Sequence, residues 1–161
     1  MRWEIIDTFE VLKIHRLSRA RKYFSGKEDF FAEHFSEKPV VPEPLFIEMI
    51  AQTGGVLFGL GIDFKKEIIL AKVQKAVFKR LVSPPCEFVI ESEIHEEREE
   101  GALISGRVTQ DGLEVASAKI ILMTVEQGHL ASSKSIVFNE KFMKHYDVRR
   151  VASLSETEAV L

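Results

Sequence analysis

One cysteine in 161 residues, Cys86, excludes an intrachain disulfide and a cysteine metal cluster. Proline is scarce and bunched. Pro39, Pro42 and Pro44 precede one apolar stretch, and Pro84 and Pro85 follow another. Positive charge is not in excess: 22 Lys and Arg against 25 Asp and Glu leave a net charge of −3, so no bulk nucleic-acid binding is expected. No charged n-region followed by an apolar h-region opens the chain, so the expected compartment is the cytoplasm. Repeats and low-complexity segments are lacking. What is present is 45% apolar and 29% charged residues, the balance of a globular domain long enough to bury a core.

The organising stretch runs from Glu33-His34-Phe35 to Gly61. Its second half, from Pro44 to about Leu60, is apolar at nearly every position and predicts a buried helix. It is short and interrupted for a membrane span, so no membrane partner is expected. Pro39 and Pro42 hold the approach extended. Pro44 suits the first helical position, which places Glu43 at the N-cap beside the positive end of the helix dipole. Gly59 and Gly61 mark the stop. Gly54 and Gly55 fall inside the helix, where each costs about 1 kcal/mol relative to alanine. Close approach of another backbone would explain them. Glu48 and Gln52 are four apart and share a face. A carboxylate inside such a helix must be hydrogen-bonded, protonated or in use.

Strands are expected around this helix. Residues 3–14 suggest a helical turn followed by a strand, and 16–24 a strand with one basic face. Residues 68–82 form another, ended by Ser83-Pro84-Pro85. Residues 86–97 alternate with period two. Segments 102–110 and 113–125 are joined at Asp111-Gly112, a strong hairpin signal. Asn139 caps a short helix over 139–146, and 152–161 reads as a polar tail free to fray. One helix with a long antiparallel meander is an α+β arrangement, and its open sheet edges favour dimerisation. Residues 1–125 are taken as one domain and 126–161 as an extension packed on it.

Asp29-Phe30-Phe31, His34-Phe35, Pro39-Val40-Val41-Pro42, Glu48 and Ala51-Gln52 together resemble the active-site segment of the β-hydroxyacyl-acyl-carrier-protein dehydratases of the FabZ type. The family reads approximately FFxGHFPxxPVMPGxLxxEAxAQ. Lys75 to Val82 resembles its KFxxPV strand, and the likeness covers roughly residues 5–125. The resemblance implies the hot-dog fold, a long helix wrapped by a curved antiparallel sheet. It also implies homodimers or higher oligomers, with His34 of one subunit facing Glu48 of the other. The implied partner is acyl carrier protein bearing a 3-hydroxyacyl chain; no cofactor and no metal are expected. The chain departs from the pattern at Glu33, Ser36, Glu43 and Pro84-Pro85-Cys86. Glu43 stands where the family has a glycine that offers its N–H to the thioester oxygen, and adds a carboxylate where negative charge would develop.

Dehydration of a 3-hydroxyacyl thioester needs a base for the α proton, an acid for the leaving hydroxyl and donors for the enolate-like oxygen. His34 suits the base, since imidazole titrates near neutral pH. Glu48 suits the acid, because burial raises a carboxyl's pKa. The helix N-terminus at Glu43 suits the oxyanion, and Gln52 is placed to orient Glu48. Arg16, Arg19, Arg21, Lys79 and Arg80 are candidates for docking the acidic carrier. His15, His95, His129 and His145 lack ligand spacing, and Cys86 reads as a packing residue. Two other readings stay open: a non-catalytic acyl-binding or partner subunit, and a hot-dog thioesterase.

Overall fold

The structure, a computed structural model, describes residues 5–126 and 137–158. The strands are β1 (Thr8–Lys13), β2 (Leu17–Phe24), β3 (Glu67–Phe78), β4 (Cys86–Arg98), β5 (Gly101–Gln110) and β6 (Leu113–Val125). They form one antiparallel sheet in the order β1-β2-β4-β5-β6-β3. The long helix α1 (Pro44–Gly61) lies against it, and α2 (Glu140–His145) and α3 (Val148–Glu158) follow. This is the hot-dog arrangement. The β5–β6 turn carries positive φ at both Asp111 and Gly112, as a two-residue hairpin of this sequence requires.

α1 is apolar because it is enclosed. By length and composition it would suffice to cross a membrane, yet here Phe46, Met49, Ile50, Val56, Leu57 and Phe58 are buried in the core. The strands supply the opposing face with period two: Phe88, Ile90 and Ser92 of β4, Ile104 and Val108 of β5, and Ile120 and Leu122 of β6 are all buried. A hydroxyl seam joins the helix to the sheet. Thr53 Oγ1 lies 2.7 Å from Ser92 Oγ and 2.9 Å from the Met49 carbonyl, and Ser18 Oγ donates to the Thr53 carbonyl at 3.2 Å.

The helix glycines admit side chains, not the backbone the sequence suggested. A β-carbon on Gly54 would lie 2.8 Å from Ile104 Cδ1, and one on Gly55 2.8 Å from Phe138 Cζ. At the helix end the left-handed residues are Asp63 and Phe64, not Gly59 or Gly61, and the Phe64 N–H closes onto the Gly59 carbonyl at 2.8 Å.

Three further expectations change. Residues 5–7 hold no helical turn, and residues 1–4 lie outside the described ones. β3 ends at Phe78, short of the proline breaker. Lys79 still donates to Val115, after which the chain leaves β6 and the Val82 carbonyl accepts from Val41 N–H at 2.8 Å. The polar tail is instead the helix α3, apart from residues 159–161 outside the description. Its cause is the edge strand β1, whose outward N–H groups need acceptors. Leu12 N–H donates to Ser155 Oγ and Ile14 N–H to Glu156 Oε1, each at 3.0 Å. Among the described residues no helix or strand covers the opposite edge, β3, and Leu70 and Val73 are exposed on it.

Candidate active site

His34 is held by an aromatic anchor upstream. Phe24, Phe30, Phe31 and Phe88 pack edge-on or tilted with centroids 4.5–6.2 Å apart, and Phe31 is buried. A single 3-10 turn, Asp29–Ala32, springs from this cluster. The His34 N–H donates to the Phe30 carbonyl at 3.0 Å, and the His34 carbonyl accepts from Val40 N–H at 3.2 Å. The His34 ring is half-buried and stacks on exposed Phe35 at 4.5 Å. Buried Val40 and Val41 lead from this loop into α1.

At the start of α1, Glu43 has helical dihedrals and makes no side-chain cap bond. The Leu45 N–H donates to the Pro42 carbonyl and the Phe46 N–H to the Glu43 carbonyl, both at 3.0 Å, while Pro44 has no N–H. The first turn therefore keeps its positive dipole end without a side-chain anion fastened across it.

Glu48, one turn on, opens into a cavity of about 600 Å³. Its helix wall is Glu48, Ala51, Gln52 and Gly55, the i, i+3, i+4, i+7 face, and Ile68, Ile69, Leu70 and Leu122 form the sheet wall. The Glu48 carboxyl is half-buried and has no hydrogen bond or ion pair to any described residue; burial pushes its pKa up. Gln52 Oε1 accepts from Ile5 N–H at 3.3 Å, which ties it to the N-terminal segment.

His34 does not line this cavity. Within one chain the structure brings Glu48 and Gln52 together and leaves His34 on the adjoining loop. The remaining wall is Val137, Phe138, Asn139, Lys141 and Phe142, from the C-terminal segment. Sequence reading recognised Asn139 as a cap, and its Oδ1 accepts from Phe142 N–H at 3.0 Å, but missed these residues as part of the site. The signal was there in Phe138 and Phe142, two aromatics one turn apart in an otherwise polar stretch.

The basic candidates are mostly engaged. Arg19 and Arg107 both pair with Glu91, at 2.7 and 2.6 Å. Burial pushes the Glu91 carboxyl up, and hydrogen bonds from the two arginines outweigh it and hold it below the usual range. Arg21 pairs with Glu10 and Glu87, and Lys79 with Glu114 at 2.9 Å. Arg80 donates to Gln110 at 3.1 Å. The basic face expected on β2 is thus an alternating ion network. Arg16 is exposed at the β1–β2 turn. Cys86 is buried and its thiol is pushed up to about 11, by burial first and by Glu28 second, which suits packing and not nucleophilic attack. Among the described residues no cluster of three or more His, Cys, Asp or Glu could hold a metal ion.

Residues 13–119 match the family model described as the FabA-like domain. A 3-hydroxyacyl-[acyl-carrier-protein] dehydratase FabZ from Xanthomonas euvesicatoria is 36% identical over 105 residues, covering 63% of this chain and 69% of that protein. The FabZ of Tolumonas auensis is 35% identical over 116 residues, covering 70% and 77%. Among solved structures, the dehydratase heterocomplex ApeI:P from Xenorhabdus doucetiae superposes with a TM-score of 0.55 at 17% identity, over 68% of this chain and 88% of that one. A hypothetical thioesterase with coenzyme A from Streptococcus pneumoniae gives 0.59 at 9% identity, over 78% and 91%. At such identities these structures speak to the fold alone.

Proposed function

We propose, from the premise that this chain belongs to the FabA-like family and within it to the FabZ-type dehydratases, that it removes water from 3-hydroxyacyl chains on acyl carrier protein, in the cytoplasm. The family acts on 3-hydroxyacyl-acyl-carrier-protein in fatty-acid synthesis; this protein's own reaction is the proposal. The observation that carries it is the Glu48 carboxyl, half-buried in an apolar cavity one turn inside a helix N-terminus. Burial raises its pKa, the direction that suits an acid for a leaving hydroxyl.

In this reading His34 abstracts the α proton, Glu48 protonates the hydroxyl that leaves as water, and the positive end of α1 at Glu43 receives the charge on the thioester oxygen. Gln52 positions the substrate beside Glu48. Because His34 and Glu48 do not meet within one chain, the working unit is a dimer in which each site takes one residue from each copy. The β3 edge, which no described strand or helix covers and where Leu70 and Val73 are exposed, supports pairing there. Arg16, and the arginines and lysine of the sheet network, would face the acidic carrier.

The test is incubation with 3-hydroxyacyl-carrier protein, followed by mass. Loss of one water from the acyl chain is expected, and a drop of about 10²–10⁴-fold in His34→Ala and Glu48→Gln. Release of free acid would make the protein a thioesterase. Binding without any mass change would make it a non-catalytic acyl-binding subunit, the reading that the Glu43 carboxylate favours. Near-normal turnover in either variant would remove that residue from the mechanism.

A further inference from the structure

We propose that the C-terminal segment sets the acyl-chain length: Phe138, backed by Phe64, is an end stop that restricts the site to short chains. The inference rests on reading the Glu48 cavity as the acyl site. The face of α1 that lines the cavity stops at Gly55. The next position on that face, Gly59, is covered by the Phe64 ring, and Phe138 lies so close over Gly55 that a β-carbon there would collide with it. From Glu48 to Gly55 the helix rises only about 10 Å. The helix wall therefore offers polar groups at one end, Glu48 and Gln52, and the Phe138 ring over Gly55 at the other. That is the shape of a site for a polar head with a short apolar tail.

The stop is braced from several sides. Phe138 meets Phe64 edge-on at 5.9 Å and Phe142 at 5.1 Å. Phe142 packs on Tyr146 at 4.6 Å, and the Tyr146 hydroxyl donates to the Ile6 carbonyl at 2.6 Å. Val137 N–H donates to the buried Glu67 carboxylate at 3.2 Å. A ring held this way does not swing aside for extra methylenes at little cost. Residues 137–146 lie beyond the 13–119 match, while Phe64, which backs the stop, lies within it.

The experiment compares kcat/KM on carrier protein loaded with 3-hydroxybutyryl, 3-hydroxyoctanoyl and 3-hydroxydodecanoyl chains. The wild type should lose about tenfold or more from the shortest to the longest, since a hydrophobic pocket discriminates about 10–200-fold per misfitting methylene. Phe138→Ala should recover most of that loss, read as the ratio of dodecanoyl to butyryl kcat/KM. Phe138→Leu, which keeps apolar packing, should recover part of it and guards against a variant that fails to fold. A wild type equally active on all lengths overturns the stop, and so does a folded variant with an unchanged profile. If no length is turned over, the reaction assignment fails separately. Calorimetric binding of acyl-pantetheine amides of the same lengths then decides the stop: short chains binding to wild type and long ones only to the variants uphold it, and equal or absent binding overturns it.

Discussion

Glu48, the acid of the proposed reaction, is also a residue that opposes stability. Burial raises its carboxyl pKa with no described partner to offset the cost of ionisation. A carboxyl whose folded pKa lies above its unfolded value contributes stability that is fully present below the unfolded value and is lost as pH rises through the folded one. Glu48→Gln abolishes that titration while nearly keeping the shape. Its melting temperature should therefore exceed that of wild type near pH 8, with the advantage shrinking toward about pH 4. Thermal unfolding across that range checks this, and a difference that does not vary with pH would mean Glu48 is not desolvated. The same substitution should be the one that removes turnover, the usual opposition between a stable site and an active one.

Among the elements, α1 is fastened to the sheet by more than apolar contact. The hydroxyls of Thr53, Ser92 and Ser18 occupy a buried seam and bond one another or backbone carbonyls. Small polar residues there let helix and sheet approach while leaving no orphaned group. Thr53→Val keeps volume but strips Ser92 of its hydroxyl partner. It should cost about 1–3 kcal/mol in denaturant-measured stability with an unchanged m-value. A neutral result would mean that the seam contributes packing alone. The element pairing of α3 with β1 follows the same logic, since Ser155 and Glu156 accept from the N–H groups of Leu12 in β1 and of Ile14 just past its end.

For the whole molecule, the decisive feature is the asymmetry of the sheet edges. β1 is covered by α3, and among the described residues no helix or strand covers β3. On the proposed dimer reading, association edge to edge through β3 would give a closed two-fold pair and not an open filament. Light scattering should report a dimer or a multiple of it. Mixing inactive His34→Ala and Glu48→Gln proteins under subunit exchange should restore up to about half of the activity per heterodimer, because one of its two sites is intact. Activity that never returns after demonstrated exchange would place both residues in the same copy's site and refute the shared arrangement.

Much of this was legible in the residues themselves. Period two in 86–97, positive-φ residues at Asp111-Gly112, and a proline-flanked apolar run at 44–61 are local patterns, and each dictates its element by local sterics and burial. The motif residues between Asp29 and Gln52 likewise carried the family resemblance, and the candidate chemistry came with it. Long-range decisions were not legible. That Gly55 faces Phe138, that Glu67 receives Val137, and that residues 148–158 form a helix over β1 depend on contacts between positions 70 or more apart. α3 looked like a tail because it has little apolar surface; what orders it is the unmet hydrogen bonding of an edge strand, which exists only once the sheet has formed. The arginines of β2 looked free for the same reason, since their carboxylate partners arrive from β1 and β4 by strand register. The sequence by itself determined α1 and the main strands, and placed Glu48 and Gln52 on one helix face. Only the tertiary structure decided which wall closes its cavity and which edge stays open, because both arise from surfaces that do not exist until distant segments meet.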